Sequence, residues 1–162
     1  MALTERVTKN VNAGYWSSTR DSIGNSFPVK NRYTAGVAGQ KFFNELKENG
    51  KIFGTRCNKC DYTYVPARLY CEKCFERLEE WIDVGSKGTI YSYTVAYVNK
   101  DGSPKDKPTI LAAIKIADGI VIHRLDECSP DEISSGMEVE AVIRQKAERT
   151  GYLLDIKYFK PC

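Results

Sequence analysis

The sequence predicts a mainly β protein in which a cysteine-rich segment precedes a five-stranded sheet, and three observations support that fold class. Four of the six cysteines form two CxxC pairs between residues 57 and 74. From residue 87 onward, five runs rich in β-forming residues alternate with turn residues. Before the cysteines, apolar residues at helical spacing predict one short helix.

Composition divides the 162 residues into four segments. The N-terminal arm, residues 1–36, is rich in Asn, Ser, Thr and Gly, and we expect it to be partly helical. Its aromatic pairs, Tyr15-Trp16 and Phe27-Pro28, can dock the arm on a folded surface, although a mobile terminus explains the same composition. The other segments are the helix at 37–50, the cysteine-rich ribbon at 51–84 and the sheet domain at 85–162.

The charge distribution separates the arm from the rest of the chain. Net charge is +3, with 24 basic and 21 acidic side chains. Residues 1–35 carry five of the basic and two of the acidic residues, so the remainder of the chain is neutral. Because a dedicated nucleic-acid binder usually has a basic domain, nucleic acid is a disfavoured partner.

The hydropathy pattern gives no sign of a membrane partner. No segment reaches the roughly 20 apolar residues of a membrane helix, and residues 1–10 lack the apolar core of a signal peptide. We therefore expect a cytoplasmic protein. In that compartment, paired cysteines favour a metal over disulfides.

The two CxxC pairs, Cys57-Cys60 and Cys71-Cys74, predict a zinc site. Four thiolates can converge tetrahedrally on zinc at about 2.3 Å each. Because protein fills all four ligand positions, the site is expected to be structural rather than catalytic. The ribbon is too short to bury a core of its own, so metal binding should supply much of its folding free energy. Iron also fits a four-thiolate site.

The five β runs predict a barrel. They cover residues 88–98, 109–117, 120–125, 138–145 and 152–159, and a helical turn beginning near Ser129-Pro130 lies between the third and fourth. Three strands, a helical connection and two strands is the order of the OB-fold, a five-stranded barrel. An open meander is the alternative.

Several short segments resemble the DUF35 family of zinc-ribbon/OB-fold proteins over roughly residues 40–161. In the first half they are FFNELKENG at 42–50, the two CxxC pairs with Thr55-Arg56 before the first, Pro66-Ala67-Arg68, and Trp81. In the second half they are GSKGTIYSYT at 85–94, GMEV at 136–139 and FKP at 159–161. Two features depart from the family pattern: HRLDEC at 123–128 replaces a glycine-containing turn, and the arm is longer.

The resemblance implies a rubredoxin-like zinc ribbon on an OB-fold, and a non-catalytic partner of thiolase-like enzymes. In archaea such proteins resemble the third member of a complex with acetoacetyl-CoA thiolase and HMG-CoA synthase. The small subunit would bridge the two enzymes and help to hold the CoA part of their shared intermediate.

Ligand residues are expected beside the second and third strands, where OB-folds bind between the loops that join strands 1–2 and 4–5. We expect these two loops to meet at one end of the barrel and to offer basic side chains for the phosphates of CoA. Tyr93 or Tyr97 could stack on the adenine, and Arg68 faces either the ribbon–barrel interface or a phosphate. The basic candidates are Lys100, Lys105 and Lys107 in the first loop and Lys146 and Arg149 in the second. Ordinary solvated loops explain the same lysines.

Catalytic residues are not expected. His123 is the single histidine and is interpreted as a structural strand residue, and Cys128 and Cys162 as ordinary thiols. No recognised nucleophile motif or Gly-rich phosphate loop occurs. The main alternative function is a single-stranded nucleic-acid module, since OB-folds bind oligonucleotides. An enzyme acting alone is disfavoured.

Overall fold

The computed structural model describes residues 8–10, 15–20 and 29–162, with side chains from residue 34 onward. In the arm, strands β1 (Thr8–Asn10), β2 (Tyr15–Arg20) and β3 (Val29–Thr34) form an antiparallel sheet in the order β1-β2-β3. The described part of the arm is therefore extended rather than helical. Phe27-Pro28 and the side chains of Tyr15-Trp16 lie outside the described residues.

Helix α1 covers Gly36–Asn49, close to the predicted 37–50. Its buried face consists of Ala38, Phe42 and Leu46, which recur at the four-residue spacing of one helical face. Gly50 ends the helix in the left-handed conformation, at φ 65°, and its N–H donates to the Leu46 carbonyl at 3.1 Å. Among the described residues, no helix has the length and hydrophobicity that crossing a membrane requires.

The ribbon is a three-stranded antiparallel sheet with β4 at its centre. Its strands are β4 (Phe53–Cys57), β5 (Tyr62–Tyr64) and β6 (Glu80–Asp83), in the order β5-β4-β6. A small hairpin outside this sheet carries the second CxxC pair and is joined by a bridge between Tyr70 and Arg77.

The five C-terminal strands close into a barrel in the order β10-β11-β9-β8-β7. They are β7 (Lys87–Val98), β8 (Pro104–Ile116), β9 (Gly119–Leu125), β10 (Glu138–Ile143) and β11 (Ile156–Pro161). A 3-10 turn at Pro130–Glu132 lies between β9 and β10, as predicted. The fold class is confirmed: an OB-type barrel follows a cysteine ribbon, and the open meander is wrong.

The ribbon is fastened to the turn between β8 and β9. The Tyr62 hydroxyl donates to the Asp118 carbonyl at 2.7 Å, and the Thr63 N–H donates to the Asp118 carboxylate at 2.9 Å. A Cβ on Gly119 would lie 2.2 Å from the Val65 carbonyl oxygen, so the two backbones touch at a place where only glycine fits. We call this side of the barrel the ribbon end and the opposite side the far end.

Two expectations about the loops are corrected. Strand β8 begins at Pro104 rather than near residue 109, so Lys105 and Lys107 lie on a strand. Strands β7 and β10 are antiparallel, with Glu138 opposite Thr89 and Glu140 opposite Lys87. Strand β10 thus runs toward the start of β7, which puts the loop after β10 at the ribbon end and the loop after β7 at the far end. The two loops do not meet.

Candidate metal centre and ligand sites

Four cysteine thiols converge in the ribbon as predicted. Cys57 ends β4, Cys60 follows in the turn to β5, and Cys71 and Cys74 come from the small hairpin. Their four Sγ atoms all lie within 4.8 Å of one another. The Sγ atoms of Cys57 and Cys74 are 3.6 Å apart, and those of Cys60 and Cys71 are 3.8 Å apart.

The spacing of these thiols fits one tetrahedral metal ion. Four sulfurs at about 2.3 Å from a zinc ion would be separated by about 3.8 Å, close to both measured Sγ–Sγ distances. Cys57 and Cys71 are buried, so solvent does not reach the centre from their side. The cluster is therefore a closed metal site with four protein donors and no free coordination position.

Tyr64 sets the electrostatics of the site, and the sequence reading missed it. Its hydroxyl lies 3.2 Å from the Cys71 Sγ, and the Lys73 N–H donates to the same sulfur at 3.4 Å. Burial raises the pKa of the Cys71 thiol, but the hydrogen bonds from Tyr64 and from the backbone of Cys74 and Lys73 outweigh it and lower the pKa to about 6. Cys71 therefore offers a thiolate near neutral pH, before metal binds.

The other thiols must lose protons when a metal binds. Hydrogen bonding to Cys74, together with burial, raises the pKa of the Cys60 thiol to about 12 in the metal-free protein. Metal binding should consequently release protons and weaken in acid.

The sequence does contain a signal that could have pointed to Tyr64. Tyr62 and Tyr64 alternate along β5, which puts both rings on one face of the strand, with ring centroids 4.7 Å apart.

Arg68 is part of the ribbon. Its backbone N–H donates to the buried Thr55 hydroxyl at 2.9 Å, and that hydroxyl donates to the Arg68 carbonyl at 2.9 Å. Its guanidinium pairs with Glu72 at 2.6 Å and lies over the Tyr64 ring. These contacts fix the chain between the two CxxC pairs.

Lys146 and Arg149 contact the end of α1. The Arg149 guanidinium donates to the carbonyls of Arg144 at 2.7 Å and Lys47 at 3.2 Å, while Lys146 lies 3.7 Å from Glu48. Arg149 thereby satisfies a carbonyl that the helix leaves without an internal partner. Both basic residues connect the barrel to α1 at the ribbon end, away from the predicted lysines of the first loop.

At the far end, Asp126 brings two cations together. Its carboxylate lies 2.7 Å from the Lys107 ammonium and 3.5 Å from the Arg124 guanidinium, and the three residues line a cavity of about 200 Å³. The hydrogen bond from Lys107 is the main reason why the pKa of Asp126 lies below its usual value. Sequence reasoning missed Arg124, which only the pairing of β8 with β9 brings near Lys107.

The remaining predicted ligand residues lie on β7 and β8 or in the turn between them. Lys105 donates to the Thr109 hydroxyl at 2.8 Å, and Tyr93 donates to the Ile133 carbonyl at 3.0 Å. Tyr97 and Lys100 are exposed, Tyr97 near the end of β7 and Lys100 in the following turn. The structure therefore separates Lys146 and Arg149 from this group.

His123 and Cys128 are poor candidates for chemistry. The imidazole is buried beside Phe159, with ring centroids 5.7 Å apart, and neither ring nitrogen has a hydrogen-bond partner among the described residues. Burial lowers the pKa of His123. Burial, with the nearby carboxylates of Asp126 and Glu132, raises the pKa of the Cys128 thiol, which keeps it protonated.

The geometry defines the class of protein: a closed four-cysteine ribbon fastened to an OB-fold barrel. Two family models match the chain in the same order. The rubredoxin-like zinc ribbon domain of ChsH2 matches residues 45–79, and the C-terminal OB-fold domain of ChsH2 matches residues 81–144.

Relatives with known sequences carry the DUF35 name. A DUF35 domain-containing scaffold protein from Methanocaldococcus jannaschii is 34% identical over 64% of this chain and 74% of its own length. Another, from Methanothermobacter thermautotrophicus, is 30% identical over 64% of this chain and 79% of its own. The chain belongs to the DUF35 family.

Two solved structures have the same fold. A DUF35 protein from Sulfolobus solfataricus superposes with a TM-score of 0.59 at 32% identity, over 66% of this chain and 78% of the other. A chain of the Ltp2-ChsH2(DUF35) aldolase superposes with a TM-score of 0.53 at 20% identity, over 75% of this chain and 92% of its own. Because the aldolase chain is only 20% identical, its similarity to this chain shows a shared fold and nothing more.

Proposed function

We propose that this chain is a non-catalytic scaffold subunit, with zinc in its ribbon, that binds acyl-CoA or CoA and bridges thiolase-like enzymes. The enzymes would be of the acetoacetyl-CoA thiolase and HMG-CoA synthase type, the partner class that the family resemblance implies. The relatives from Methanocaldococcus jannaschii and Methanothermobacter thermautotrophicus are named scaffold proteins.

The observation that carries the proposal is the fastening of the ribbon to the barrel. A bridging subunit must hold its binding surfaces at fixed relative positions. Two hydrogen bonds to Asp118 and the backbone contact at Gly119 hold the ribbon on the barrel, and Arg149 holds α1 on the same barrel through the Lys47 carbonyl. The ribbon and the barrel can then present separate partners in one orientation.

The chemistry of the described residues favours binding over turnover. The metal site has no open position at which water or substrate could react. His123 is buried without a hydrogen-bond partner among the described residues, and the raised pKa of Cys128 keeps its thiol protonated. Acid–base or nucleophilic catalysis needs a partnered, accessible group.

The proposed CoA site lies at the far end, around Lys107 and Arg124. Both cations share one carboxylate, Asp126, so the group carries a net positive charge that a phosphate can satisfy. Exposed Tyr97 offers an aromatic face for the adenine, and Lys100, in the turn after β7, and Lys105, on β8, are further cations on this part of the chain. The proposed site includes the lysines that were predicted in the first loop. It excludes Lys146 and Arg149, which contact α1 instead.

The experiment is calorimetric titration of the zinc-loaded protein with acetyl-CoA. We expect Lys107→Ala combined with Arg124→Ala to weaken binding roughly tenfold or more, since hydrogen bonds between charged groups contribute about 1.5–3 kcal/mol each. The matched control removes two exposed lysines of the barrel, Lys87 and Lys115, and should bind as the wild type does. Equal loss in both variants would indicate general electrostatic attraction, and unchanged affinity in the first would remove the far end as the site.

The nucleic-acid alternative has less support. In the OB-fold, oligonucleotides bind across the second and third strands, here β8 and β9. The outward side chains there include Leu111, Ile120 and Ile122, and no Phe, Tyr or Trp occurs between residues 104 and 125. Strands β8 and β9 therefore offer no aromatic side chain for base stacking, and the exposed tyrosines of the barrel, Tyr91, Tyr93 and Tyr97, lie on β7. Titration with a short single-stranded RNA tests this alternative: binding that weakens steeply with salt would favour it.

A further inference from the structure

The residue after each CxxC pair adopts a left-handed backbone conformation. Asp61 follows Cys60 with φ 46°, and Phe75 follows Cys74 with φ 59°. At Phe75 this conformation lets the backbone N–H donate to the Cys71 carbonyl at 2.9 Å, which closes the hairpin around the metal ligands. Glycine adopts such a φ freely, Asn and Asp tolerate it, and a bulky aromatic residue is strained there.

Asp61 and Phe75 share the left-handed backbone conformation, but their side chains differ in the contacts that they make. Asp61 is of a tolerated type, and its carboxylate pairs with Arg56 at 2.5 Å. The Phe75 side chain is 79% exposed, belongs to neither buried cluster and makes no ring contact with any other described residue. Phe75 therefore combines a strained backbone with an exposed ring, and the described fold gains nothing from that ring.

A second exposed aromatic residue lies on the same hairpin. Tyr70, opposite Arg77, is 54% exposed. We call Tyr70 and Phe75 the knuckle tip. Exposed aromatic residues that the fold does not use are the usual anchors of protein interfaces, where they fill apolar pockets on the partner.

The surface beside the knuckle tip indicates that the occupant is a different protein rather than a second copy. The groove of about 620 Å³ next to this hairpin is lined mainly by charged side chains, among them Arg56, Lys59, Glu79 and Glu80. An aromatic ring entering it would displace water from charged groups without pairing them, which is unfavourable. Two further cavities of about 200 Å³ each also contain charged side chains among their lining residues: Lys107, Arg124 and Asp126 in one, and Lys51 and Asp83 in the other.

We propose that the knuckle tip is the anchor by which the ribbon docks into an apolar pocket of a thiolase-like enzyme, with Phe75 as its central residue. This inference rests on the proposed function, because that function supplies the partner. The ribbon then holds one enzyme through the knuckle tip, while the far end of the barrel remains available for CoA.

The test is Phe75→Gly, which removes the ring and relieves the backbone. We expect the variant to retain its zinc and to melt at the wild-type temperature or above it, because glycine adopts φ 59° without strain. Asp61→Gly is the matched control, since it makes the same change in the first CxxC turn. A structural role for Phe75 predicts the opposite, a lower melting temperature or loss of zinc, and that result would overturn the proposal.

Binding is measured by expressing the tagged full chain in the organism from which it comes and identifying the captured proteins by mass spectrometry. We expect the wild type and Asp61→Gly to capture a thiolase-family enzyme, and Phe75→Gly to capture roughly tenfold less or none. A second variant, Tyr70→Ser, should show a smaller loss.

Two results contradict the inference in different ways. Equal capture of a thiolase-family enzyme by the wild type and Phe75→Gly would reject the knuckle tip and leave the proposed function standing. Absence of any thiolase-family enzyme from the wild-type capture would reject the proposed function, and this inference with it.

Discussion

One buried cluster of seventeen side chains joins the barrel and α1 and includes three ribbon residues, Ile52, Val65 and Ala67. The cysteine end of the ribbon has a separate cluster of only four, and two of those four are the predicted metal ligands Cys57 and Cys71. A unit as short as the ribbon cannot offset its chain entropy by burial alone. The barrel can, because its strands alternate inward apolar residues around a closed sheet. The two regions should therefore respond to different perturbations: the ribbon to loss of metal, the barrel to loss of internal contacts.

The largest expected effect is on the ribbon. Cys57→Ser, or chelation of the metal, should abolish metal binding and unfold the ribbon, because binding free energy supplies its folding free energy. Hydrogen exchange should show lost protection in β4, β5 and β6 and retained protection in β7 to β11. Retained zinc with unchanged protection in Cys57→Ser would contradict the four-thiolate assignment.

A smaller effect is expected in the barrel from Asp155. This carboxylate is buried and accepts hydrogen bonds from the N–H groups of Thr150 at 2.8 Å and Gly151 at 2.7 Å, as well as from the Thr150 hydroxyl at 3.2 Å. Asp155→Ala leaves these donors without their acceptor, at a cost of about 2–3 kcal/mol. Urea unfolding should show this loss of stability at constant zinc content.

The control for Asp155 is Asp155→Asn, which preserves the side chain's shape but turns one acceptor into a donor. We expect it to destabilise the protein as well, since an amide N–H₂ would face backbone N–H groups. If both variants unfolded at the wild-type urea concentration, the loop between β10 and β11 would not depend on this carboxylate.

The smallest expected effect is a pH dependence from His123. Burial lowers its pKa in the folded protein, so the folded imidazole takes up its proton at a lower pH than the unfolded chain, which binds one below about pH 6.5. The unfolded state then holds more protons, and stability falls as the pH decreases through that range, by at most about 1.4 kcal/mol per pH unit. Above pH 6.5 this contribution vanishes.

The measurement compares urea unfolding of the wild type and His123→Leu between pH 5 and pH 8, conditions chosen on the unfolded-state pKa of about 6.5. The difference in their unfolding free energies should change with pH, and the variant should lose less stability in acid. Parallel curves would show that His123 exchanges no proton on unfolding. Using the difference between the two proteins removes the contribution of the cysteine ligands, which both share.

The barrel strands and the convergence of the four cysteines could be predicted because their signals are local. Alternating β-formers marked the five strands to within a few residues, apart from the start of β8 and the start of β11, which was predicted at 152 and lies at Ile156. The start of β8 was missed because residues 104–108, PKDKP, read locally as a loop, while pairing of Pro104 with Val98 draws them into the sheet. Long-range pairing overrode local composition.

The ligand residues could be predicted only in part, because their arrangement depends on which strands are neighbours. Lys146 and Arg149 lie in the loop that was expected, but strand direction puts that loop beside α1. Arg124 and Asp126 reach Lys107 through the β8–β9 pairing, which sequence spacing does not reveal. Tyr64 looked like an ordinary strand residue until the fold placed it against Cys71.

The contact between Gly119 and Val65 also limits how this architecture can be recombined. A Cβ at position 119 would lie only 2.2 Å from the Val65 carbonyl oxygen, so the hairpin turn and the ribbon are complementary in shape only when glycine occupies that position. A ribbon transplanted onto another OB-fold would need the same glycine at the same turn, with an acidic residue before it to accept from the Thr63 N–H. An engineered exchange would therefore have to move the ribbon together with the turn that it contacts.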